Sequence, residues 1–266
     1  METLIAYFTA ILIGILLGIM GGGGSILTIP VLVYLLHIEP VLATSYSLFI
    51  VGVSAFVASV HNYRNKLIDF KTAFVFSVPA FIGVFISRKW LLPALPNTLF
   101  FLNEQAVSKG VGIMILFTVI MFMAAISMIK NNVQEKHLNI SKYKYPLILI
   151  EGILVGLITG IVGAGGGFLI VPALVVLTQM PVKTAIGTSL LIIAIKSLLG
   201  FFGDFSYLPI NWYFLLLFSL FTAFGILCGI YLSKFIPSKN LKPAFGWFIL
   251  IMSILIITKE YIEFKN

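Results

Sequence analysis

The chain has 266 residues, of which 60% are hydrophobic and 10% charged, and it carries a formal net charge of +8. A soluble domain has roughly 25% charged residues, so this composition excludes a water-soluble globule and indicates that lipid surrounds most of the chain. The Lys and Arg residues lie mainly in short loops between apolar runs, which favours a role in membrane orientation over binding of nucleic acid.

Ten apolar segments divide the chain into two halves that are joined by a polar stretch at 130–145. Their apolar residues run continuously instead of alternating with polar ones, which is typical of membrane helices and not of a transmembrane β-barrel. The sequence therefore predicts an all-α polytopic membrane protein. The segments lie near 4–20, 25–37, 41–60, 69–91 and 109–129 in the first half, and near 146–162, 168–180, 182–202, 210–236 and 241–258 in the second.

The second half repeats the first at an offset of 142 residues. This offset pairs Gly14 with Gly156 and Pro30 with Pro172 without a gap. A period of this length indicates two halves of one domain, as in many secondary transporters. The predicted parts of this single membrane domain are a first repeat at 1–129, a polar cytoplasmic connection at 130–145 and a second repeat at 146–266.

Each half contains one segment that is too short to cross the membrane. Segments 25–37 and 168–180 have about 13 residues, or ~20 Å of helix, whereas the hydrocarbon core is ~30 Å thick. A glycine run precedes each of them, at 21–24 and 163–167. We therefore predict that each forms a broken hairpin with the segment before it. A hairpin plus three transmembrane helices makes an odd number of crossings, so the second repeat is predicted to be inverted relative to the first.

The distribution of Lys and Arg supports this topology, because cytoplasmic loops carry an excess of positive residues. With the N-terminus outside, eleven Lys and Arg residues lie on the inner side and five on the outer side. The five outer residues are Arg88, Lys89, Lys109, Lys259 and Lys265.

The two glycine runs form the first candidate binding site. A helix break inside the membrane leaves backbone N–H and C=O groups that lipid cannot satisfy, so it is tolerated where it faces protein or a wet cavity. A helix that restarts between 25 and 30, and another between 167 and 172, would each present free N–H donors to an anion. The alternative is that these glycines only allow tight helix packing. The candidates are Gly21, Gly22, Gly23, Gly24, Ser25, Gly163, Gly165, Gly166 and Gly167.

Hydroxyl residues open the segment that follows each hairpin, and their donors would complement the oxygens of a bound oxyanion. They are Thr44, Ser45 and Ser47 in the first half and Thr188 and Ser189 in the second. The alternative is that each hydroxyl bonds a carbonyl one turn earlier in its own helix.

Charged residues near or within the predicted spans are further candidates. Lys196 lies inside a span, where an unpaired charge is costly, so we interpret it as an anion ligand. Snorkelling to the outer face, pairing with Asp204 and contact with a lipid phosphate are its alternatives. His61 and Asp204 end corresponding segments, and each is either a proton-coupling group or part of a solvated helix end.

The sequence contains no HExxH motif, no GxSxG motif and no metal-ligand spacing of its histidines. We therefore expect no enzymatic activity, no catalytic residue, no metal and no cofactor. The expected partners are a small anion and membrane lipid. A homodimer is compatible with the sequence but is not required by it.

The glycine runs followed by proline at 21–30 and 163–172, with Ala-Thr-Ser at 43–45 and Gly-Thr-Ser at 187–189, resemble the TauE/SafE sulfite-exporter family. The resemblance covers nearly the whole chain. It implies a transporter for small sulfur-containing anions, such as sulfite or organosulfonates, in a prokaryotic cytoplasmic membrane. Ala164 interrupts the second glycine run, and the resemblance assigns no role to a lysine at position 196.

The function that we predict is export of such an anion by alternating access, with the anion held between the two hairpins. Two alternatives stay open at this point. One is a membrane scaffold that transports nothing, whose glycines only pack helices. The other is an uncoupled anion channel.

Overall fold

The computed structural model describes residues 2–102, 105–130, 144–178, 180–204, 208–235 and 238–265. The first half contains α1 (Glu2–Met20), α2 (Gly23–Leu35), α3 (Pro40–Arg64), α4 (Phe70–Ala94) and α5 (Lys109–Lys130). The second half contains α6 (Lys144–Val162), α7 (Gly167–Thr178), α8 (Val182–Phe201), α9 (Trp212–Ser233) and α10 (Ser238–Lys265). Most of the polar connection predicted at 130–145 lies outside the described residues.

Within the described ranges, five helices are long and apolar enough to cross a membrane, namely α3, α4, the 109–126 part of α5, α8 and α9. Large apolar side chains such as Phe74, Leu220 and Phe224 are exposed on the surface, where lipid would contact them. This confirms the all-α polytopic membrane fold. The sequence did not indicate the small antiparallel hairpin of β1 (Thr98–Leu102) and β2 (Gln105–Ser108), which connects α4 to α5.

Equivalent helices make equivalent contacts in the two halves. α1 packs along α9 as α6 packs along α4, and α3 contacts α9 as α8 contacts α4. Two further pairs, α3 with α8 and α5 with α10, each join a helix to its own counterpart. The two halves therefore make the same set of helix contacts, as a pseudo-two-fold axis between them would require.

The directions of α3 and α8 indicate how that axis lies. The Phe49 and Phe201 rings pack 5.0 Å apart, whereas the other end of α8, at Gly187, approaches Leu67 just beyond the end of α3. The two helices are thus antiparallel, and a two-fold axis that exchanges antiparallel helices is perpendicular to them. This is the arrangement expected of an inverted repeat. Which end faces the cytoplasm stays a prediction from the charge distribution.

Glycines line the two equivalent helix crossings, α1 with α9 and α4 with α6. A Cβ atom on Gly14 would lie 2.1 Å from the Thr222 carbonyl oxygen, and one on Gly156 would lie 2.2 Å from the Ala80 carbonyl oxygen. One turn later, a Cβ atom on Gly18 would lie 2.3 Å from the Ile226 carbonyl oxygen, and one on Gly160 would lie 2.7 Å from the Cβ atom of Ser87. These glycines, which lie outside the two glycine runs, serve close helix packing.

Both glycine runs fold the chain back on the helix that precedes them. A Cβ atom on Gly24 would meet the backbone of Leu17 in α1, and one on Gly166 would meet Thr159 in α6. α2 starts with a 3₁₀ turn at Gly23–Leu27, slightly before the predicted position, and α7 starts at Gly167 as predicted. At 12 residues, or ~18 Å, α7 is too short to cross the hydrocarbon core alone.

Candidate anion-binding site

The two glycine breaks contact each other in the protein interior. A Cβ atom on Gly167 would lie 2.4 Å from the carbonyl carbon of Gly22, and one on Gly165 would lie 3.3 Å from the Cβ of Ser25. Gly22 and Gly166 have φ angles of +95° and +75°, which residues with a side chain rarely adopt. Glycine is therefore required both by the backbone conformation and by the close approach of the two main chains.

Two of the predicted hydroxyl residues hold the first break, and both are buried. The Ser25 hydroxyl donates a hydrogen bond of 2.7 Å to the Gly22 carbonyl oxygen. The Ser189 hydroxyl lies 3.0 Å from the Gly21 carbonyl oxygen and 2.8 Å from that of Ile186, one turn earlier in α8. At this break the hydroxyls are engaged by main-chain carbonyls.

At the second break, the start of α3 supplies the hydroxyls. A Cβ atom on Gly163 would lie 2.4 Å from Thr44. The Thr44 hydroxyl donates to the Val41 carbonyl one turn earlier, as in the local alternative, but its oxygen also accepts a hydrogen bond from Arg88. The buried Ser47 hydroxyl has no hydrogen-bond partner within the described residues.

Arg88, which the charge count placed in an outer loop, is fully buried. Its Nη1 atom donates to Asp204 Oδ2 at 3.0 Å and to Thr44 Oγ1 at 3.1 Å. The outer-loop assignment is wrong because α4 continues through a π-helical turn at Ser87–Leu91 and holds this side chain against Thr44 in α3 and Asp204 just beyond α8. The apolar residues at 90–92, which continue the span past Arg88, are the signal that indicates a buried arginine.

Lys196 on α8 is also fully buried. Its Nζ atom donates a hydrogen bond of 2.8 Å to Thr159 Oγ1 and lies 3.3 Å from the place that a Cβ atom on Gly166 would take. The side chain therefore does not snorkel to the surface, and it pairs with a hydroxyl and not with Asp204. Arg88 is close enough for its positive charge to repel the Lys196 ammonium. Two buried cations therefore lie beside the second break.

The two proton-coupling candidates lie at opposite ends of the antiparallel pair α3 and α8. Asp204 is a buried counterion of Arg88, with the Ser45 side chain beside it, and is not a solvated helix end. His61 lies near the end of α3, and its buried Nε2 atom has no partner in the part of the chain that the structure describes. A role for either residue in proton coupling stays a prediction.

Thr188 takes part in neither break. Its hydroxyl oxygen accepts a hydrogen bond of 3.0 Å from the backbone N–H of Asp69, which ties the start of α8 to the start of α4. The structure thus brings most of the predicted residues to the two breaks, whereas Thr188, the neighbour of Ser189 in α8, contacts the start of α4 instead.

Several donors at the second break have no acceptor among the described residues. They are the Nε and Nη2 groups of Arg88, and the buried hydroxyl of Ser47, three residues after Thr44 in α3, also has no partner there. An ammonium has three donors, and the Nζ atom of Lys196 has one hydrogen bond, to Thr159. A buried donor without an acceptor costs about 1–3 kcal/mol. An oxyanion at this position would accept these hydrogen bonds and offset the positive charge.

A cavity of about 670 Å³ opens near the start of α3. Tyr34, His37, Glu39 and Lys109 are among the residues that line it, together with Val41. Val41 lies one helical turn before Thr44, which accepts a hydrogen bond from Arg88, so this cavity adjoins the turn of α3 that precedes Thr44. It is on the side that the topology predicts to face outward.

The sequence profile of the family described as sulfite exporter TauE/SafE matches residues 6–256. The chain belongs to this family. Relatives named "probable membrane transporter protein" occur in Xylella fastidiosa, at 27% identity over 94% of this chain and 93% of the relative, and in Bacillus subtilis (YunE), at 24% over 95% of each. A third, from Methanocaldococcus jannaschii, is 32% identical over 44% of this chain and 46% of the relative. No solved structure gives a significant match.

Membership in the TauE/SafE family identifies the chain as a multi-pass membrane transporter. The matched region includes both halves, both glycine breaks and the buried cluster of Arg88, Lys196 and Asp204. The candidate site therefore lies within the part of the chain that the family model matches.

Proposed function

We propose that this TauE/SafE transporter exports a small sulfur-containing oxyanion, such as sulfite or an organosulfonate, by alternating access. The observation that carries the proposal is the pair of fully buried cations, Arg88 and Lys196, beside a glycine break. Ionised groups inside a membrane protein are costly and mark substrate or ion pathways. The sulfur chemistry of the substrate comes from the description of the family.

The geometry of Arg88 suits two oxygens of one oxyanion. Its Nη1 atom is engaged by Asp204 and Thr44, which leaves Nε and Nη2 as adjacent parallel donors. Such a pair matches two oxygens of a sulfonate or sulfite group, as it matches those of a carboxylate or phosphate. The ammonium of Lys196, across the break, offers donors to a third oxygen.

The glycine break adds a second source of positive potential. α7 begins at Gly167, next to Gly166, whose added Cβ atom would lie 3.3 Å from the ammonium of Lys196. A helix of this length carries about +0.5 charge and free N–H groups at its N-terminus. The helix terminus and the two cations therefore act on the same small region.

Alternating access fits a site at the contact between two equivalent halves. Rocking one half against the other would open the site first to one side and then to the other. Export of an anion from an inside-negative cell is favoured by about 2.3 kcal/mol per charge per 100 mV. We therefore expect export to need no coupling ion.

Uptake of radiolabelled sulfite or methanesulfonate by proteoliposomes tests this function. We expect uptake that saturates and that speeds up when unlabelled anion is present on the opposite side, because a transporter with alternating access exchanges its substrate. Uptake that rises linearly with concentration, without this stimulation, would identify a channel instead. Rates equal to those of empty liposomes for every anion tested would contradict transport.

A further inference from the structure

We propose that Asp204 makes this site selective for singly charged oxyanions over doubly charged ones. The proposal rests on the anion site proposed above and concerns the charge of the substrate, which the name of the family does not fix. Arg88, Lys196 and Asp204 are the Asp, Glu, Lys and Arg side chains that the described part of the chain buries almost completely. Two cations and one carboxylate give this cluster a net charge of +1.

The charge of the cluster favours an anion of charge −1. A monoanion brings the buried charge to zero, whereas a dianion leaves a net negative charge in the interior. Uncompensated charge in a medium of low dielectric is costly, and lipid surrounds this protein. A bound anion also stabilises the ammonium form of Lys196, so both cations are charged when the site is filled.

The hydrogen-bond pattern of Arg88 leaves donors for an anion while Asp204 stays bound. The carboxylate contacts Nη1, at 3.0 Å, and leaves the Nε and Nη2 groups without a partner in the described structure. An oxyanion on that free edge would not displace Asp204. The bound anion is therefore held by the guanidinium while a carboxylate on the opposite edge reduces the net attraction. Attraction to the site scales with the charge of the anion, but the cost of taking the anion out of water scales with the square of its charge, so the reduced attraction offsets this cost less well for a dianion.

The position equivalent to Asp204 in the other half carries an uncharged residue. The repeat offset places Asn62 where the second half has Asp204. Asn62 is also buried, with 6% of its surface exposed. A neutral amide is thus accommodated at the equivalent position of the fold, which makes Asp204→Asn a conservative test.

Isothermal titration calorimetry tests the proposal. It measures the affinity of the purified protein in detergent for methanesulfonate and for sulfate. These probes carry one and two negative charges near neutral pH. We expect the wild-type protein to bind methanesulfonate at least tenfold more tightly than sulfate. In Asp204→Asn, the affinity for sulfate should rise at least tenfold relative to the affinity for methanesulfonate, because the net charge of the site becomes +2.

Glu39→Gln is the matched control, since Glu39 is exposed and lies in the cavity near the start of α3. It removes one negative charge on the same side of the protein but outside the buried cluster, and the ratio of the two affinities should stay that of wild type. An equal gain for sulfate in Glu39→Gln would overturn the assignment to Asp204.

The outcomes separate this proposal from the function on which it rests. If wild-type protein binds methanesulfonate and the ratio does not change in Asp204→Asn, the charge selectivity is wrong and the anion site stands. If wild-type protein binds sulfate as tightly as methanesulfonate, the selectivity is wrong even without a folded variant. If neither anion binds and proteoliposomes take up none, the proposed function fails first.

Discussion

The two glycine breaks lie at equivalent positions of the repeat and have different surroundings. Gly21 in the first break packs against Ile186, whereas its counterpart Gly163 packs against Thr44, which binds Arg88. The repeat offset pairs the polar and charged residues beside the second break with uncharged residues of the other half: Thr44 with Ile186, Arg88 with Ile230, Lys196 with Ser54, and Asp204 with Asn62. The duplication therefore keeps the glycines that the fold needs in both halves, while the buried charges surround one break.

This difference separates the residues that build the fold from those that bind the anion. Gly14 and Gly156 make equivalent close contacts with a facing helix. A substitution at either position should therefore lower the stability by a similar amount. The charged residues have no charged counterpart, so changes at the second break should affect the anion far more than changes at the first. The following variants test this division.

Arg88→Leu should have the largest effect. It removes the forked donor and leaves Asp204 buried without a partner, and breaking a buried ion pair costs about 3–5 kcal/mol of unfolding free energy. We expect a strongly lowered thermal midpoint and no anion transport. Ile230→Val, at the equivalent position, should keep wild-type transport.

The double variant Arg88→Leu with Asp204→Leu separates stability from transport. Without the unpaired carboxylate, much of the lost stability should return, measured as the thermal midpoint in detergent. Transport in proteoliposomes should not return. A double variant that transports sulfite at the wild-type rate would show that Arg88 is not a ligand.

Lys196→Met should weaken anion binding by about 10- to 100-fold, because a hydrogen bond to a charged group contributes about 1.5–3 kcal/mol. Stability should stay equal or rise, since a buried charge is replaced by an apolar side chain of similar length. Titration calorimetry with methanesulfonate measures the affinity. Ser54→Ala is the control, because Ser54 occupies the equivalent position and donates to the Ile50 carbonyl of its own helix. Wild-type affinity in Lys196→Met would contradict a ligand role.

Gly14→Ala and Gly156→Ala should destabilise the protein by similar amounts, about 1–3 kcal/mol each, because each added methyl group meets a carbonyl oxygen of the facing helix. Thermal denaturation in detergent measures both effects. Shifts of the thermal midpoint that differ severalfold between the two variants would show that the two crossings are not equivalent.

Ser189→Ala and Ser47→Ala should give the smallest and most contrasting effects. Ser189 bonds main-chain carbonyls at the first break, so its loss should cost about 1 kcal/mol of stability. The Ser47 hydroxyl has no partner in the described residues. Ser47→Ala should therefore cost little stability and should reduce the affinity for methanesulfonate severalfold. The reverse pattern would place the anion at the first break.

The sequence predicts the helices of this fold well, because membrane helices are long apolar runs and glycine runs interrupt them. It also predicts the hairpin geometry, since α2 and α7 are too short to cross the hydrocarbon core. The β1–β2 hairpin was missed because five- and four-residue strands in a loop have no distinctive apolar pattern.

The candidate site was predicted in part. Lys196 stands out because it interrupts an apolar segment, whereas Arg88 adjoins Lys89 and resembles the charged end of a helix. Its burial depends on the π-helical turn that continues α4, and the pairing with Asp204 depends on how α4 packs against α8. Contacts of this kind join residues more than a hundred positions apart, and a single sequence does not reveal them.

A structure determined with selenite, a heavier analogue of sulfite, tests the central claim most directly. Its selenium atom can be located by anomalous scattering. The account predicts one strong peak at the second break, within hydrogen-bonding reach of the free edge of Arg88 and of the Lys196 ammonium. A peak at the first break beside Ile186, or no peak near either buried cation, would contradict it.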